Sequence, residues 1–549
     1  MSGNTDNNKV DNLSKESIDK LKNIIKDLYT LDSIPWVIGY SGGKDSTAVL
    51  QLVWQAVEEL DVKKRKKTIH IINTDTLVES PIIAKWAKDS LNKMRSISEV
   101  KSLPFEVHRL IPEYDQTFWV NFIGRGYPFP RKKLRWCTDR LKIKPVNKFI
   151  KEKLARHGEI IMVLGTRKAE STARARNMEY YESKRVREYL SPNPTLNNEL
   201  IFSPLSEWSN DDVWGFLMQY ENPWGLSNNE LLSLYKGATQ DNECPMMVEK
   251  DLPSCGKSRF GCWVCTMVEK DKSMEAMITN DEEKEWLIPL LEFRNEFGQE
   301  EGDREKRSFR KLGGFLNATG DRLHHGPYLK EVREYYLKRL LEIEKEIQET
   351  APEDHKDIEL ITIEELRHIR RIWVNEKHEF DDSVPRIYSE VKGIDFDDPF
   401  FMSNKNFGKK EWDMLKEVCN DKYADEELVF ELMYSLIDVE NKSNTVTKRR
   451  GIMNKIEKVI YSTFYKNEED AVSYYVEKRG RESEYLDFNS DSEELSEENL
   501  ESLEMLNELE EMDKELETEE NLESEIDSDA QIDDSEINNE EDINNSINE

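Results

Sequence analysis

Apolar residues follow two alternating patterns over the first 220 positions of the chain. Short continuous apolar runs, several of them rich in β-branched residues, occur at Trp36 to Tyr40, Thr68 to Asn73, Phe105 to Leu110 and Glu159 to Leu164. The segments between them carry apolar residues at helical spacing, as in the stretch that follows Ser14. Because continuous apolar runs are typical of strands buried on both faces, this alternation predicts an α/β fold with a doubly wound parallel sheet.

The pattern changes beyond about residue 273, where helical spacing dominates and no further strand alternation occurs. We therefore predict four parts: an α/β domain over residues 1–230, a cysteine-containing segment over 231–330, a helical C-terminal region over 331–485, and an acidic tail over 486–549. From Arg481 onward, 29 acidic residues face two basic ones, a net charge of −27 out of −34 for the whole chain. The tail has too few apolar residues to form a core and is predicted to be disordered.

The strongest local motif follows the first predicted strand. It reads Ser41-Gly42-Gly43-Lys44-Asp45-Ser46 and leads directly into a helical pattern. Paired glycines allow backbone N–H groups to point inward, and the start of the next helix adds its dipole, so this loop is expected to bind an anion. An ordinary tight turn would need neither the lysine nor the two hydroxyls. The Walker A spacing of P-loop kinases is absent.

Two further groups of polar residues follow predicted strands. Asp75 comes directly after the second strand, and a second loop with the sequence Gly165-Thr166-Arg167-Lys168-Ala169-Glu170-Ser171 follows the strand that ends at Leu164. The carboxyl ends of parallel strands meet at one edge of a sheet. We therefore expect Asp75, Gly165, Arg167 and Glu170 to lie near the first loop, with the arginine facing bound phosphate.

Four of the six cysteines are crowded into 22 residues. Their spacing is C-x10-C-x6-C-x2-C, and they are Cys244, Cys255, Cys262 and Cys265. Such crowding in a reducing compartment favours a metal site, although the spacing does not distinguish a structural zinc from an iron–sulfur cluster. Cys419 stands alone in a helical pattern and is predicted to be a core residue.

A basic and aromatic segment surrounds the remaining cysteine, Cys137. Seven Lys or Arg residues occur within the 14 positions 131–144, close to Tyr127, Phe129 and Trp136. This composition suits a polyanion whose bases stack on aromatic rings. A basic loop beside a helix is the alternative for the charges, but it does not explain the cysteine. The basic residues of 304–311 either extend a nucleic-acid surface or form a solvated helix face.

These motifs together resemble the adenylylsulfate and phosphoadenylylsulfate reductase group of ATP pyrophosphatases, whose fold is the adenine nucleotide alpha hydrolase-like (PP-loop) fold. Within that group the chain is similar to the DndC-type sulfurtransferases of bacterial DNA phosphorothioation. The resemblance covers roughly residues 14–330. It is carried by the two loops and by two cysteine motifs, Arg135-Trp136-Cys137-Thr138-Asp139-Arg140-Leu141-Lys142 and Ser258-Arg259-Phe260-Gly261-Cys262-Trp263-Val264-Cys265.

The resemblance implies ATP-dependent replacement of a non-bridging oxygen of a DNA phosphate by sulfur, with ATP, Mg²⁺ and a 4Fe-4S cluster as cofactors. It implies that residues Ser41 to Ser46 hold the pyrophosphate and that Lys44, Asp45 and Arg167 serve the chemistry. A cysteine desulfurase would supply sulfur as a persulfide, and accessory phosphorothioation subunits would be further partners. The preferred cluster ligands are Cys244, Cys255, Cys262 and Cys265, which leaves Cys137 as a sulfur carrier. The alternative set replaces Cys244 by Cys137.

Three other functions fit parts of the sequence. A sulfonucleotide reductase would need a catalytic cysteine in a mobile C-terminal segment, and only Cys419 follows Cys265. A tRNA thiolase would use the same adenylation chemistry. A non-catalytic nucleic-acid-binding subunit would not need the intact Lys44 and Asp45. The chain contains no run of 18 apolar residues and no charged-then-apolar leader, so a soluble cytoplasmic protein without a membrane partner is expected.

Overall fold

The structure is a computed structural model of the 549-residue chain. It describes residues 13–131, 134–193, 198–239, 260–311, 316–319, 322–399, 401, 408–422, 426–443, 451–462 and 465–477. Cys244, Cys255, Ser258 and Arg259 lie outside these residues, as does the acidic tail.

A six-stranded sheet forms the centre of the described α/β part. Its order is β3-β2-β1-β4-β6-β5, in which only the short edge strand β5 runs antiparallel to its neighbour. The strands are β1 (Trp36–Gly39), β2 (Ile69–Thr74), β3 (Phe105–Leu110), β4 (Ile160–Val163), β5 (Ser191–Pro192) and β6 (Glu199–Phe202). The predicted doubly wound sheet is therefore confirmed, and each predicted strand lies within one or two residues of its observed position.

Helices cover both faces of this sheet. They are α1 (Lys15–Leu31), α2 (Lys44–Glu58), α3 (Pro81–Val100), α4 (Trp136–Thr138), α5 (Lys144–His157), α6 (Thr172–Ser183), α7 (Asn210–Gln219) and α8 (Asn228–Gly237). The hydroxyl of Ser14 accepts the backbone N–H of Ser17 and so caps the start of α1. The helix α2 begins inside the first loop, at Lys44, and is buried along most of its length.

The C-terminal region is helical, as predicted. It contains α9 (Lys272–Asn280), α10 (Ile288–Phe297), α11 (Lys330–Thr350), α12 (Ile363–Arg371), α13 (Ser383–Lys392), α14 (Lys409–Lys422), α15 (Glu426–Ser443) and α16 (Ile452–Ser462), with a short hairpin of β7 (Ala318–Thr319) and β8 (Arg322–Leu323). Cys419 is buried on α14, which confirms its prediction. Within the described residues, no helix is both long enough and apolar enough to cross a membrane.

One large apolar core joins the C-terminal helices to the segment that follows β3. Phe118, Trp119 and Phe122 pack in this core with residues of α10 to α13. The indole of Trp119 donates to the carbonyl of Leu360 at 2.7 Å, and the indole of Trp373 donates to the carbonyl of Gly124 at 3.1 Å. The helical region is thus packed into the α/β part through buried aromatic residues and satisfied polar groups.

Candidate nucleotide and cysteine site

The first loop is closed by its own hydroxyl groups. The two side-chain oxygens of Ser41 and Ser46 lie 3.1 Å apart, and the Ser46 hydroxyl donates to the carbonyl of Gly43 at 3.1 Å. Gly42 has a φ of 81°, which L side chains rarely adopt, and its carbonyl accepts the indole N–H of Trp86. Gly43, Lys44 and Asp45, where α2 begins, line the cavity beyond the loop.

The second loop lies directly against the first. A Cβ at Gly165 would come within 3.0 Å of the carbonyl carbon and oxygen of Asp45, so only glycine fits here without movement. Arg167 donates from Nε to Oδ1 of Asp45 at 2.6 Å and from Nη1 to the carbonyl of Trp208 at 3.3 Å. Glu170 accepts the backbone N–H of Arg167 at 2.8 Å and pairs with the guanidinium of Arg174.

Lys44 is held in the site as a charged group. Its Nζ donates to Oδ2 of Asp45 at 2.7 Å, and its backbone N–H donates to the hydroxyl of Tyr235 at 3.2 Å. Burial alone would lower the pKa of Lys44, but the neighbouring Asp45 and Tyr235 raise it above its ordinary value. Asp45 accepts hydrogen bonds from both Lys44 and Arg167. Two positive side chains therefore meet one carboxylate, which leaves one net positive charge where the two loops touch.

Asp75 also lies at this edge of the sheet. Its carboxylate accepts the backbone N–H of Leu77 at 2.9 Å and the Nε of Arg109 at 2.8 Å. Both Asp75 and Arg109 line the same cavity as the first loop. The structure therefore brings together the residues that the sequence predicted for the nucleotide site, from Ser41 through Asp75 to Gly165, Arg167 and Glu170.

Three described cysteines lie close to the half-buried Lys142. The charged forms of Cys137, Cys262 and Cys265 all raise the pKa of Lys142 above its ordinary value, against the lowering effect of burial. Burial raises the pKa of Cys137 to about 11, and the proximity of Cys265 adds to this rise. The thiol of Cys262 points to Oε1 of Glu79 at 3.7 Å, and burial raises its pKa well above the usual range.

The chemistry of this group fits an iron–sulfur cluster. Thiolates are the usual ligands of such clusters, and a cation beside them balances their negative charge. Cys262 and Cys265 form a tight turn in which the N–H of Cys265 donates to the carbonyl of Cys262 at 3.0 Å. Cys137 lies close to this turn, as the alternative ligand set requires. Cys244 and Cys255 lie outside the described residues, so the preferred ligand set stays a prediction.

A single cavity of about 1440 Å³ is lined by residues of both loops and by two neighbours of the cysteine group, although none of the three described cysteines of that group lines it. Its wall contains Lys44 and Asp45 on one side and Glu79 and Lys142, which neighbour the cysteines, on the other. Residues 354–365, which precede and begin α12, form a further wall. Sequence reasoning missed both that wall and Tyr235, because neither belongs to a recognisable motif.

The prediction that aromatic residues of the basic segment stack on nucleic-acid bases is wrong. Tyr127, Phe129 and Trp136 are buried in the large apolar core. Trp136 donates its indole N–H to the carbonyl of Pro128 at 3.0 Å, and Tyr127 packs edge-on against Trp136. The prediction of exposed rings rested on the charged residues that surround them in the sequence. A buried segment with internal ion pairs shows the same alternation of charged and aromatic residues.

Basic residues of two segments are likewise used inside the protein. Arg131 pairs with the buried Asp303 at 2.7 Å, and Arg307 approaches the same carboxylate at 3.0 Å. Arg310 pairs with Glu431 of α15, and Arg304 pairs with Glu468. Arg304, Arg307 and Arg310 therefore hold other segments of the chain, so these three side chains form neither a free nucleic-acid surface nor a solvated helix face.

Comparison with known proteins identifies the part of the chain that contains this site. Residues 35–268 match the phosphoadenosine phosphosulfate reductase domain. This part of the chain is similar to that domain, and it makes up less than half of the 549 residues. The match begins just before β1 and ends after Cys265, so it includes both loops and all five cysteines discussed as ligands or carriers.

Two individual proteins resemble the chain more weakly. An uncharacterized protein of Methanocaldococcus jannaschii, MJ0066, is 24% identical over 260 residues, which are 47% of this chain and 41% of that protein. The chain thus spans less than half the length of this relative. Among solved structures, the U34-tRNA thiolase NcsA from Methanococcus maripaludis with its 4Fe-4S cluster aligns with 15% identity and a TM-score of 0.23, over 40% of this chain and 72% of that one.

Proposed function

We propose that this protein is an ATP-dependent sulfurtransferase in which a phosphate is adenylated and then receives sulfur within one cavity. The observation that carries the proposal is that the cavity is lined both by the Lys44 loop and by Glu79 and Lys142, the neighbours of the cysteine group. A nucleotide on the loop and a sulfur species at the cysteines would then reach the same space. A site for nucleotide binding alone does not need this connection.

The first loop and the start of α2 would hold the β- and γ-phosphates of ATP through backbone N–H groups, with Lys44 as a point charge. The hydroxyl of Tyr235 accepts the backbone N–H of Lys44. When ATP binds, a phosphate oxygen would take the place of this hydroxyl as the acceptor of that N–H. Mg²⁺ would neutralise the triphosphate. Arg167 fixes Asp45 and thereby keeps Lys44 at the cavity wall.

We propose a backbone phosphate of DNA as the acceptor. A non-bridging oxygen attacks the α-phosphorus of ATP, and pyrophosphate leaves. The terminal sulfur of a persulfide supplied by a cysteine desulfurase then attacks the activated phosphorus, and AMP leaves. A second thiol cleaves the sulfur–sulfur bond, which releases the phosphorothioate and leaves a disulfide. In this scheme Cys137 carries the sulfur if Cys244 completes the cluster.

Cys262 and Cys265, with Cys255 and either Cys137 or Cys244, would hold the 4Fe-4S cluster. Such a cluster supplies electron transfer or an iron site for sulfur. The role of Lys142 is the same for either ligand set. Burial raises the pKa values of Cys137 and Cys262, and the positive charge of Lys142 opposes this rise by stabilising their thiolate forms.

The acceptor would enter along α3. Lys88 and Arg95 are exposed on this helix and line the cavity together with Arg109. They provide positive charge at the rim beyond Lys85, whose own charge is paired with Asp89 at 3.2 Å and approached by Asp354 at 3.9 Å. A DNA backbone would therefore contact the α3 side. Lys88→Ala combined with Arg95→Ala should weaken DNA binding and reduce its salt dependence, while Lys93→Ala, which is exposed on α3 but does not line the cavity, should not.

The test compares wild type with Lys44→Ala in cells that hold the accessory genes. Phosphorothioate dinucleotides are measured by mass spectrometry, and ATP–pyrophosphate exchange is measured on anaerobically purified protein. We expect phosphorothioates in wild type only and a fall in exchange of ~100-fold in Lys44→Ala. Lys63→Ala, an exposed lysine outside the cavity, is the matched control. Sulfur found in tRNA or in a small molecule instead of DNA would contradict the acceptor but not the chemistry. Absence of exchange with every acceptor would favour a binding subunit.

A further inference from the structure

A second group of metal-ligating side chains lies on the face of the sheet that α5 covers. It consists of His70 on β2 and of Glu106 and His108 on β3, and none of the three lines the cavity. The parallel register places the Cα of His70 opposite that of Glu106 and the Cα of His108 opposite that of Ile72. Alternate residues of a strand share a face, so all three side chains project to the same side.

The three donor atoms have the spacing of ligands around one metal ion. Nδ1 of His70 lies 3.1 Å from Nε2 of His108 and 3.2 Å from Oε2 of Glu106, and the last two atoms are 3.8 Å apart. A tetrahedral zinc ion with bonds of about 2.0–2.1 Å sets its ligand atoms ~3.3 Å apart. A single ion would fit among the three atoms with little side-chain movement.

The surroundings hold the imidazole rings and leave one side open. The ring of Phe149 packs edge-on against His70 at 5.8 Å and lies 4.9 Å from the ring of His108. The side chain of His70 is 5% exposed, whereas that of Glu106 is 57% exposed. An ion could therefore enter from the Glu106 side and keep a water ligand there, while the histidines stay in place.

The charge state of the group is compatible with a cation. Burial lowers the pKa of His70 to about 3, and nearby Lys153 contributes to this lowering. Burial also lowers the pKa of His108. Both shifts favour the neutral imidazole, which is the form that has a lone pair to donate to a metal ion. Lys153 is the opposing feature, since its positive charge reduces the affinity for a dication.

We propose that His70, Glu106 and His108 bind a divalent transition-metal ion of the zinc type, with an open fourth position. The ion would fasten the edge strand β3 to β2. This site is separate from the cysteine group in residues, ligand chemistry and position on the sheet, and it does not depend on the proposed sulfurtransferase function. A direct hydrogen bond between the two imidazoles is the alternative explanation for the 3.1 Å distance.

The test adds Co²⁺ to the anaerobically purified full-length protein and records difference spectra. Cobalt bound by nitrogen and oxygen gives weak visible d–d bands, whereas cobalt bound by cysteine adds intense sulfur-to-metal charge-transfer bands. The variants are His108→Ala and Glu106→Gln; His70 is left intact because it is buried in the sheet. Glu152→Gln is the matched control, since this carboxylate on α5 lies near His108 but outside the triangle.

We expect one Co²⁺ per chain with the nitrogen and oxygen signature, displaced by Zn²⁺. His108→Ala and Glu106→Gln should each weaken this binding by at least tenfold, and Zn²⁺ should raise the melting temperature of wild type and Glu152→Gln but not of these two variants. Cobalt bands of the cysteine type alone would overturn the proposal. The absence of Co²⁺ binding, or equal Co²⁺ binding in all four proteins, would also overturn the proposal. His70, Glu106 and His108 would then form a hydrogen-bonded cluster without a metal ion.

Discussion

Arg167 donates from Nε to Oδ1 of Asp45 at 2.6 Å, and this bond joins the two loops that follow β1 and β4. Both side chains are almost fully buried. Asp45 also accepts from Lys44, so the position of the lysine depends on a residue more than 120 positions later in the chain. A charged lysine at the end of such a chain of contacts is fixed before a phosphate arrives, which favours binding without reorganisation.

Arg167→Leu should be strongly destabilising. Removal of one partner of a buried ion pair leaves the other charge buried with too few partners, which lowers the free energy of unfolding by about 3–5 kcal/mol. We expect the low end of this range because Lys44 still contacts Asp45. Urea denaturation measures the change in the free energy of unfolding. Arg156→Leu removes an exposed pair with Glu152 and should cost less than ~0.5 kcal/mol. Equal effects of the two variants would contradict this account of the loop.

Gly165→Ala should displace the first loop. The added Cβ would lie 3.0 Å from the carbonyl of Asp45 and 3.2 Å from the N–H nitrogen of Ser46, and backbone atoms cannot move aside as a flexible side chain does. We expect a loss of about 1–3 kcal/mol in stability and weaker ATP binding, measured by urea denaturation and by calorimetry. Gly237→Ala is the control, because a Cβ there would meet nothing within 4 Å. Unchanged ATP affinity in Gly165→Ala would count against a shared site.

Glu199→Gln should alter the pH dependence of stability. Burial raises the pKa of Glu199 from 4.5 to about 7, although a hydrogen bond with Asn193 opposes the rise. The folded protein then binds this proton more tightly than the unfolded chain, so the wild-type free energy of unfolding falls as the pH rises between these two values. Between about pH 5 and about pH 8 we expect wild type to lose about 2–3 kcal/mol more than Glu199→Gln.

Urea denaturation at both pH values checks the effect of Glu199. Glu207→Gln, in which the side chain that is replaced is 66% exposed, should retain the wild-type pH dependence. If Glu199→Gln behaved in the same way as Glu207→Gln, the carboxyl of Glu199 would have its ordinary pKa in the folded protein.

Single Cys→Ser variants should identify the cluster ligands through their iron content after anaerobic purification. Cys262→Ser and Cys265→Ser are expected to lose most of the iron in either ligand set. The iron content of Cys137→Ser distinguishes the two ligand sets. Because Cys137 lies beside Cys265 and Lys142, we expect this variant to lose iron, as the alternative set predicts. Normal iron loading in Cys244→Ser would then eliminate the preferred set. Cys419→Ser, buried on α14 away from these residues, is the control.

The parallel sheet and the conformation of the loop after β1 were predictable because their signals are local. A continuous apolar run such as Trp36 to Ile38 has few structural alternatives when a glycine pair follows it, and Ser14 and Ser209 cap helices by contacts within three residues. The position of Asp75 followed from topology alone, since parallel strands end at one edge. No long-range information was needed for these elements.

The packing of the interior was not predictable in the same way. Arg131 is indistinguishable in the sequence from a solvent-exposed arginine, and only the fold brings it to Asp303, 172 positions later. Trp136 is surrounded by charged residues yet becomes buried, because its indole finds the carbonyl of Pro128 and its ring stacks on Phe118. Tyr235 reaches Lys44 from a separate helix. Such long-range pairs leave no periodic trace.

The apolar core shared by Trp119 and the C-terminal helices limits how this protein can be divided. A fragment cut to the reductase-like residues 35–268 would expose Phe118, Trp119 and Phe122 and would leave the indole of Trp119 without the carbonyl of Leu360. Such a fragment would aggregate instead of folding as an independent unit. Exchange of residues 35–268 between relatives will therefore succeed only when helices α10 to α13 are transplanted with them.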